Sequence, residues 1–167
     1  MKILPTSRLK KRKLLLLLGG VCLLPVVVIA MLNPTNFAET RPDHSDPQLR
    51  TRIYRAAPDE VASAVREIAP QLRTYGRSWR VTPVLSGLRA IGSRDAITVT
   101  CEVPVLFFTD DLKVTIREQN KGAQVDVESR SRVGRGDFGE NRRHIIQLLH
   151  AIDARMDNQL PVSRQQN

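Results

Sequence analysis

The chain has 167 residues, 41% hydrophobic but only 4% aromatic, enough for one domain with an aliphatic core. Its formal charge of +9 is uneven: Lys2, Arg8, Lys10, Lys11, Arg12 and Lys13 stand in the first thirteen positions with no acid among them, and the remainder carries only +3. Two cysteines, one of them in an apolar run, exclude a disulfide-built fold, and a mildly basic remainder without interleaved aromatic residues excludes a nucleic-acid surface.

Residues 1–13 read as a basic cytoplasmic leader. Leu14–Leu32 is a run of 19 residues without a charge. At 1.5 Å per residue a helix of that length spans about 28 Å, close to the hydrocarbon thickness of a bilayer. Lys10–Lys13 stand directly before it, so the positive-inside rule keeps the N-terminus in the cytoplasm and exports the chain beyond Leu32. The expectation is a single-pass signal anchor in the inner membrane with a periplasmic domain. The competing reading is a signal peptide cleaved after Ala30 in Val28-Ile29-Ala30, against which the length of the run counts. Residues 33–48, with Pro34, Pro42 and Pro47, read as a linker. The globular domain is expected at 49–158 and a disordered tail at 159–167.

Within the domain, Arg50–Arg55 reads as a first strand. Pro58, followed by Asp59 and Glu60, opens a helix whose buried face is Val61, Val65, Ile68 and Leu72, and Pro70 ends or kinks it near Ala69. Ser78–Val84 and Leu88–Ile91 read as strands, with Trp79 and Val81 on one side of the first, and Gly92–Asp95 as a turn. Ala96–Phe108 is expected as one long strand with Ile97, Val99, Cys101, Val103, Val105 and Phe107 on one face, and Pro104 in it is expected to mark an edge, a bulge or a bend. On that face Cys101 reads as a small buried hydrophobe. Asp111–Glu118 comes next, with Leu112, Val114 and Ile116 inward, and turns at Asn120-Lys121-Gly122.

The densest stretch comes last. Val125, Val127, Ser129, Ser131 and Val133 share the inward parity, and Asp126, Glu128, Arg130 and Arg132 the outward one. Gly134 and Gly136 break the strand. Asp137 with Glu140 three residues on is a capping-box pattern that starts a helix at about Asp137, behind which Ile145, Leu148, Leu149, Ile152 and Met156 form an apolar stripe. The order β-α-β-β-β-β-β-α with short hairpins predicts an α+β fold: an antiparallel sheet of five to six strands with two helices on one face. That order is similar to the START-like helix-grip layout.

SRSRVGRGDFGENRRHI, Ser129–Ile145, and FFTDDLKVTI, Phe107–Ile116, resemble the two signature segments of domain-of-unknown-function family 1499, a bacterial and plastid family. The resemblance spans Leu49–Asp153. Many members carry a Pro-Asn-Cys segment before the domain; PDHSDPQLRTRIY, Pro42–Tyr54, has no cysteine, so no role tied to one carries over. The resemblance implies a fold and no settled activity.

Asp110 and Asp111 are a carboxylate pair suited to acid-base or metal chemistry, but neighbours on a strand point to opposite faces. Asp111 is better placed to pair with Arg130 or Arg132. His144 and His150, six apart on a helix, fall on different faces, and no His or Cys cluster has metal-ligand spacing. Ser129 and Ser131 lack a sequence-adjacent base. Arg130, Arg132, Arg135, Arg142 and Arg143, beside Gly134 and Gly136 at a helix start, suit an anion. The plainer expectation is that they pair with Asp111, Asp126, Glu128, Asp137 and Glu140 and lock the turn, with Arg142 and Arg143 otherwise solvated. The candidate ligand-binding or motif residues are thus Asp110, Asp111, Arg130, Arg132, Gly134, Asp137, Asn141 and Arg142. No cofactor or metal is implied. The sequence points to a non-enzymatic module that binds a lipid-like or small apolar ligand, or an envelope protein. The rival is an envelope enzyme built on Asp110, Asp111, Arg130, Arg132 and Asn141.

Overall fold

Side-chain alternation builds the sheet that organises the molecule. The computed structural model describes residues 36–83, 96–120, 122–134 and 136–157, with Leu17, Gly19, Gly20, Val21 and Leu24 of the apolar run. The central strands are β6 (Ala96–Val105), β7 (Phe108–Gln119) and β8 (Gly122–Ser131). They form an antiparallel meander in which Val99, Cys101, Val103, Leu112, Val114, Ile116, Val125 and Val127 point to one face and are buried. Burial pushes the Cys101 thiol up to about 11, which keeps it protonated as a buried hydrophobe. β5 (Arg80–Thr82) pairs with β6 at one edge. At the other, β1 (Phe37–Glu39) and β2 (Arg52–Tyr54) share the free edge of β8, giving a sheet of six strands among the described residues. A small hairpin, β3 (Arg73–Thr74) and β4 (Arg77–Ser78), stands apart.

Both helices cover the inward face. α1 (Pro58–Ile68) buries Val61, Ala62, Ala64, Val65 and Ile68, and a 3-10 turn through Pro70 ends it, as the proline predicts. α2 (Glu140–Asp157) buries Ile145, Leu148, Leu149, Ile152 and Met156. Val61, Val65, Val114, Val127, Ile145, Leu148, Leu149 and Ile152 have no accessible surface, so no water-sized void borders them. The described residues form an α+β domain with a large antiparallel sheet, one face of which α1 and α2 cover.

Four expectations change. The stretch read as a linker is part of the fold from Asn36: it supplies β1, and Thr40 joins the edge by donating its N–H to Val127 O and accepting from Val127 N. The long strand stops at Val105 and reverses through Leu106-Phe107, so Phe107 is 93% exposed rather than inward. Pro104 is in register with Thr109 of β7 but lies past the pairing with β5, so among the described residues it stands at an edge on that side, one of the positions expected for a proline in a strand. The last helix begins at Glu140 rather than Asp137, because Phe138 and Gly139 are left-handed, with φ of 54° and 81°. Val133 lies beyond the end of β8 and is exposed.

Gly122 has a structural cause. A Cβ there would stand 2.3 Å from the carbonyl oxygen of Tyr54, so β2 can approach β8 only over a glycine. Among the described residues no helix is long and apolar enough to cross a membrane. Leu14–Leu32 lies mostly outside those residues, as do the leader, the expected strand Leu88–Ile91 with its turn Gly92–Asp95, and the tail.

Candidate functional site

One end of the sheet gathers the signature residues. There β8 finishes at Ser131, β7 begins beside it, and the loop from Val133 leads into α2. Asn141, in the first turn of α2, has no accessible surface. Its Oδ1 accepts from the Ser129 hydroxyl at 2.7 Å and its Nδ2 donates to Ser131 Oγ at 3.1 Å. Asp137 accepts from the backbone N–H of Gly139 and Asn141, both at 2.9 Å. The capping role of Asp137 survives although the helix starts later. Gly134 takes φ of +92° to turn the chain out of β8, and its carbonyl accepts from Asn36 Nδ2.

Behind this knot lies a buried titratable row. His144 is 1% exposed and sits between two carboxylates: Nδ1 is 3.7 Å from Asp110 Oδ2, and Nε2 is 3.6 Å from Glu140 Oε2. Those gaps are too long for hydrogen bonds, and both ring nitrogens and Asp110 Oδ2 are left without a partner. Burial pushes the imidazole down to about 4, with repulsion from Arg143 adding to it. Burial raises the Asp110 carboxyl, while a hydrogen bond from Ser131 opposes the rise. Both groups are driven toward their neutral forms. Glu140 also accepts from the Tyr75 hydroxyl at 2.5 Å and pairs with Arg143. Trp79 meets the His144 ring edge-on, centroids 5.9 Å apart, and lines an open polar groove of about 390 Å³ with Arg77, Arg80 and Glu102.

On the opposite face, Asp111 and Glu102 are direct cross-strand partners, a like-charge pairing that needs cations. Arg132 bridges them, with Nη2 at 2.5 Å from Asp111 and 2.8 Å from Glu102, and Arg80 adds a 2.5 Å contact to Glu102. These arginines hold the Glu102 carboxyl below its ordinary range. Arg130 lies over the Phe37 ring at 5.1 Å. Arg142 is not merely solvated: it reaches back to Asp46 Oδ2 and Gln48 Oε1, each at 2.8 Å, and ties the loop before β2 to α2. Asp126 and Glu128 take Arg117 and Lys113 rather than signature arginines. Arg135 lies outside the described residues.

The structure therefore gathers Asp110, Asp137 and Asn141 on the inner side and leaves Asp111, Arg130 and Arg132 on the outer. Among the described residues no group of three His, Cys, Asp or Glu is arranged to hold a metal ion. Tyr75, Glu140 and His144 are absent from the candidate residues read from the sequence, where Glu140 figures only as a cap and ion-pair partner and His144 only in the metal-spacing argument. The apolar stripe of α2, extended one turn backward, lands on His144 and Asn141, and that periodicity was the available signal.

The model of the family described as "Protein of unknown function (DUF1499)" matches residues 29–152. The chain belongs to this family. No curated protein matches it. Among solved structures, this DUF1499 chain is similar to protein CV1439 from Chromobacterium violaceum, at 14% identity over 73% of this chain and 97% of that one, with a TM-score of 0.42. It is also similar to TTHA0849 from Thermus thermophilus, at 10% identity over 74% and 100% with a TM-score of 0.32. The third is CalU16 from Micromonospora echinospora, at 14% identity over 73% and 93% with a TM-score of 0.33. Likenesses this loose carry nothing further to a DUF1499 chain.

Proposed function

We propose that the protein is a membrane-tethered domain of the cell envelope, held by Leu14–Leu32 with its N-terminus in the cytoplasm, and that it binds a lipid-like ligand or an envelope protein rather than catalysing a reaction. One observation carries the preference for binding over catalysis. The rival enzyme needs Asp110, Asp111, Arg130, Arg132 and Asn141 in one cleft, and the sheet separates them: Asp110 and Asn141 are 2% and 0% exposed beneath the helices, while the other three lie on the outer face. Each outer side chain is engaged, by an ion pair or by the Phe37 ring.

The helix-grip comparison offers the space between helices and sheet as a ligand pocket. Here aliphatic side chains without accessible surface fill that space at Val61, Val65, Val114, Leu148 and Leu149, which favours contact on the surface. Protease added to spheroplasts tests the tether and its direction. The domain is expected to be digested from outside, and a domain protected until the spheroplasts are lysed overturns the orientation. A chain recovered free of the membrane overturns the anchor.

A further inference from the structure

Three turns with bulky residues crowd the end of the sheet where the signature lies. The β3–β4 turn carries Tyr75, the β6–β7 turn carries Leu106 and Phe107 beside Phe108, and the loop before α2 carries Val133 and Phe138. Each of these six is between 49% and 93% exposed. Outside the apolar run, the remaining large hydrophobic side chain so exposed among the described residues is Ile53. Isolated exposed apolar residues need no explanation, but their collection at one end does.

Backbone geometry adds a second observation. The described non-glycine residues with positive φ are Tyr75 at 51°, Leu106 at 43°, Phe138 at 54° and Asn120 at 49°. Asparagine tolerates that region and sits in the turn at the far end. The other three are bulky, pay a steric cost there, and present their side chains to solvent. The turns are also braced: Arg77 donates to Leu106 O, and Tyr75 to Glu140.

The third observation is where the chain enters. Asn36 donates its side chain to Gly134 O, and its carbonyl accepts from Ser131 N, at this same end. Only Asn33, Pro34 and Thr35 separate it from the last residue of the apolar run. Four extended steps reach at most about 14 Å. A headgroup layer is roughly 5–8 Å thick, so even a fully stretched connector leaves this end no more than about 6–9 Å beyond it.

We infer that the turns at Tyr75, Leu106-Phe107 and Phe138 form a docking surface for the bilayer interface of the membrane that carries the chain. The inference rests on the tethered reading above and names its partner: anionic phospholipid at the membrane surface. The charge of this end fits such a partner. Glu102 and Asp111 are bridged by Arg132, Arg80 adds a bond to Glu102, Asp137 caps backbone N–H groups, and Glu140 is buried. Exposed Arg73 and Arg77 meanwhile bond backbone carbonyls, which leaves their charge for phosphate.

The test uses the full chain in vesicles of phosphatidylcholine and phosphatidylglycerol whose acyl chains are brominated near the headgroup. Phe107→Trp places a quenchable indole on the surface, and Ile53→Trp places one on β2, which pairs with the start of β8 at the far end. Buried Trp79, the one native tryptophan, supplies a constant background that also reports folding. In vesicles that retain the chain, the indole at position 107 is expected to lose emission roughly twofold, as for a side chain 5–10 Å into the interface, and the one at position 53 to keep it. Equal behaviour of the two overturns the docking and leaves the tether standing. A chain that does not float with the vesicles overturns the tether, and this inference with it. Undiminished quenching in pure phosphatidylcholine overturns the assignment of anionic lipid.

Discussion

Asn141→Ala tests whether the signature is a structural knot. The substitution removes two buried hydrogen bonds, from Ser129 Oγ and to Ser131 Oγ. Each contributes about 0.5–1.5 kcal/mol net. It also orphans the Ser129 hydroxyl, which has no accessible surface, at about 1–3 kcal/mol. Ser131 keeps its interaction with Asp110 and adds less. The expected loss is about 3 kcal/mol, a large part of the roughly 5–15 kcal/mol that holds a domain together. For a domain of this size that is about 10 °C in Tm. Urea unfolding of the full chain in mild detergent, followed by the emission of Trp79, measures it. Ser129→Ala combined with Asn141→Ala removes the orphan, so the double variant is expected to lose at least about 1 kcal/mol less than the two singles added together. An Asn141→Ala variant within about 0.5 kcal/mol of the parent, or strictly additive singles, refutes the reasoning.

Stability is also expected to depend on pH through His144, which Asp110 and Glu140 flank and Arg143 and Asp137 influence. Its pKa is about 4 folded against 6.5 ordinarily, so above pH 6.5 the ring is neutral in both states and contributes no slope. Between 6.5 and 4 the unfolded chain takes up a proton that the folded one refuses, and stability falls with pH by up to about 3 kcal/mol. Asp110, raised by burial, opposes this once pH drops into the range of its folded carboxyl, and His144→Gln removes the His-driven slope in urea titrations across that range. Gly122→Ala is expected to push β2 off β8 and cost about 2 kcal/mol or more, read by the same unfolding assay and by faster amide exchange at Ile53 and Tyr54. Arg132→Gln, which breaks half-exposed ion pairs to Glu102 and Asp111, is expected to cost less than about 1 kcal/mol, and a larger loss would show that this outer ladder holds the sheet.

Much of this architecture was written in local patterns. Alternation along Val99–Val103, Leu112–Ile116 and Val125–Val127 assigns the inner face, since the pleat turns each inward residue toward the helices whatever else the chain does. Pro58 and Pro70 bound α1 because proline acts on its own backbone. Opposite parity of Asp110 and Asp111 likewise comes from the strand alone. What the chain could not announce locally was which distant groups meet. β1 lies in a polar, proline-flanked stretch and is a strand only because β8 offers it a free edge. The reversal at Leu106-Phe107 carries no glycine, asparagine or aspartate, and the pairing of β6 with β7 holds Leu106 in a conformation its side chain disfavours. The row Tyr75, Glu140, His144 and Asp110 draws on a hairpin, a helix and a strand, and its buried, unpartnered atoms exist only once α2 lies across the sheet. Periodicity is a property of neighbours in sequence, whereas desolvation and close approach are properties of neighbours in space, which only the tertiary structure decides.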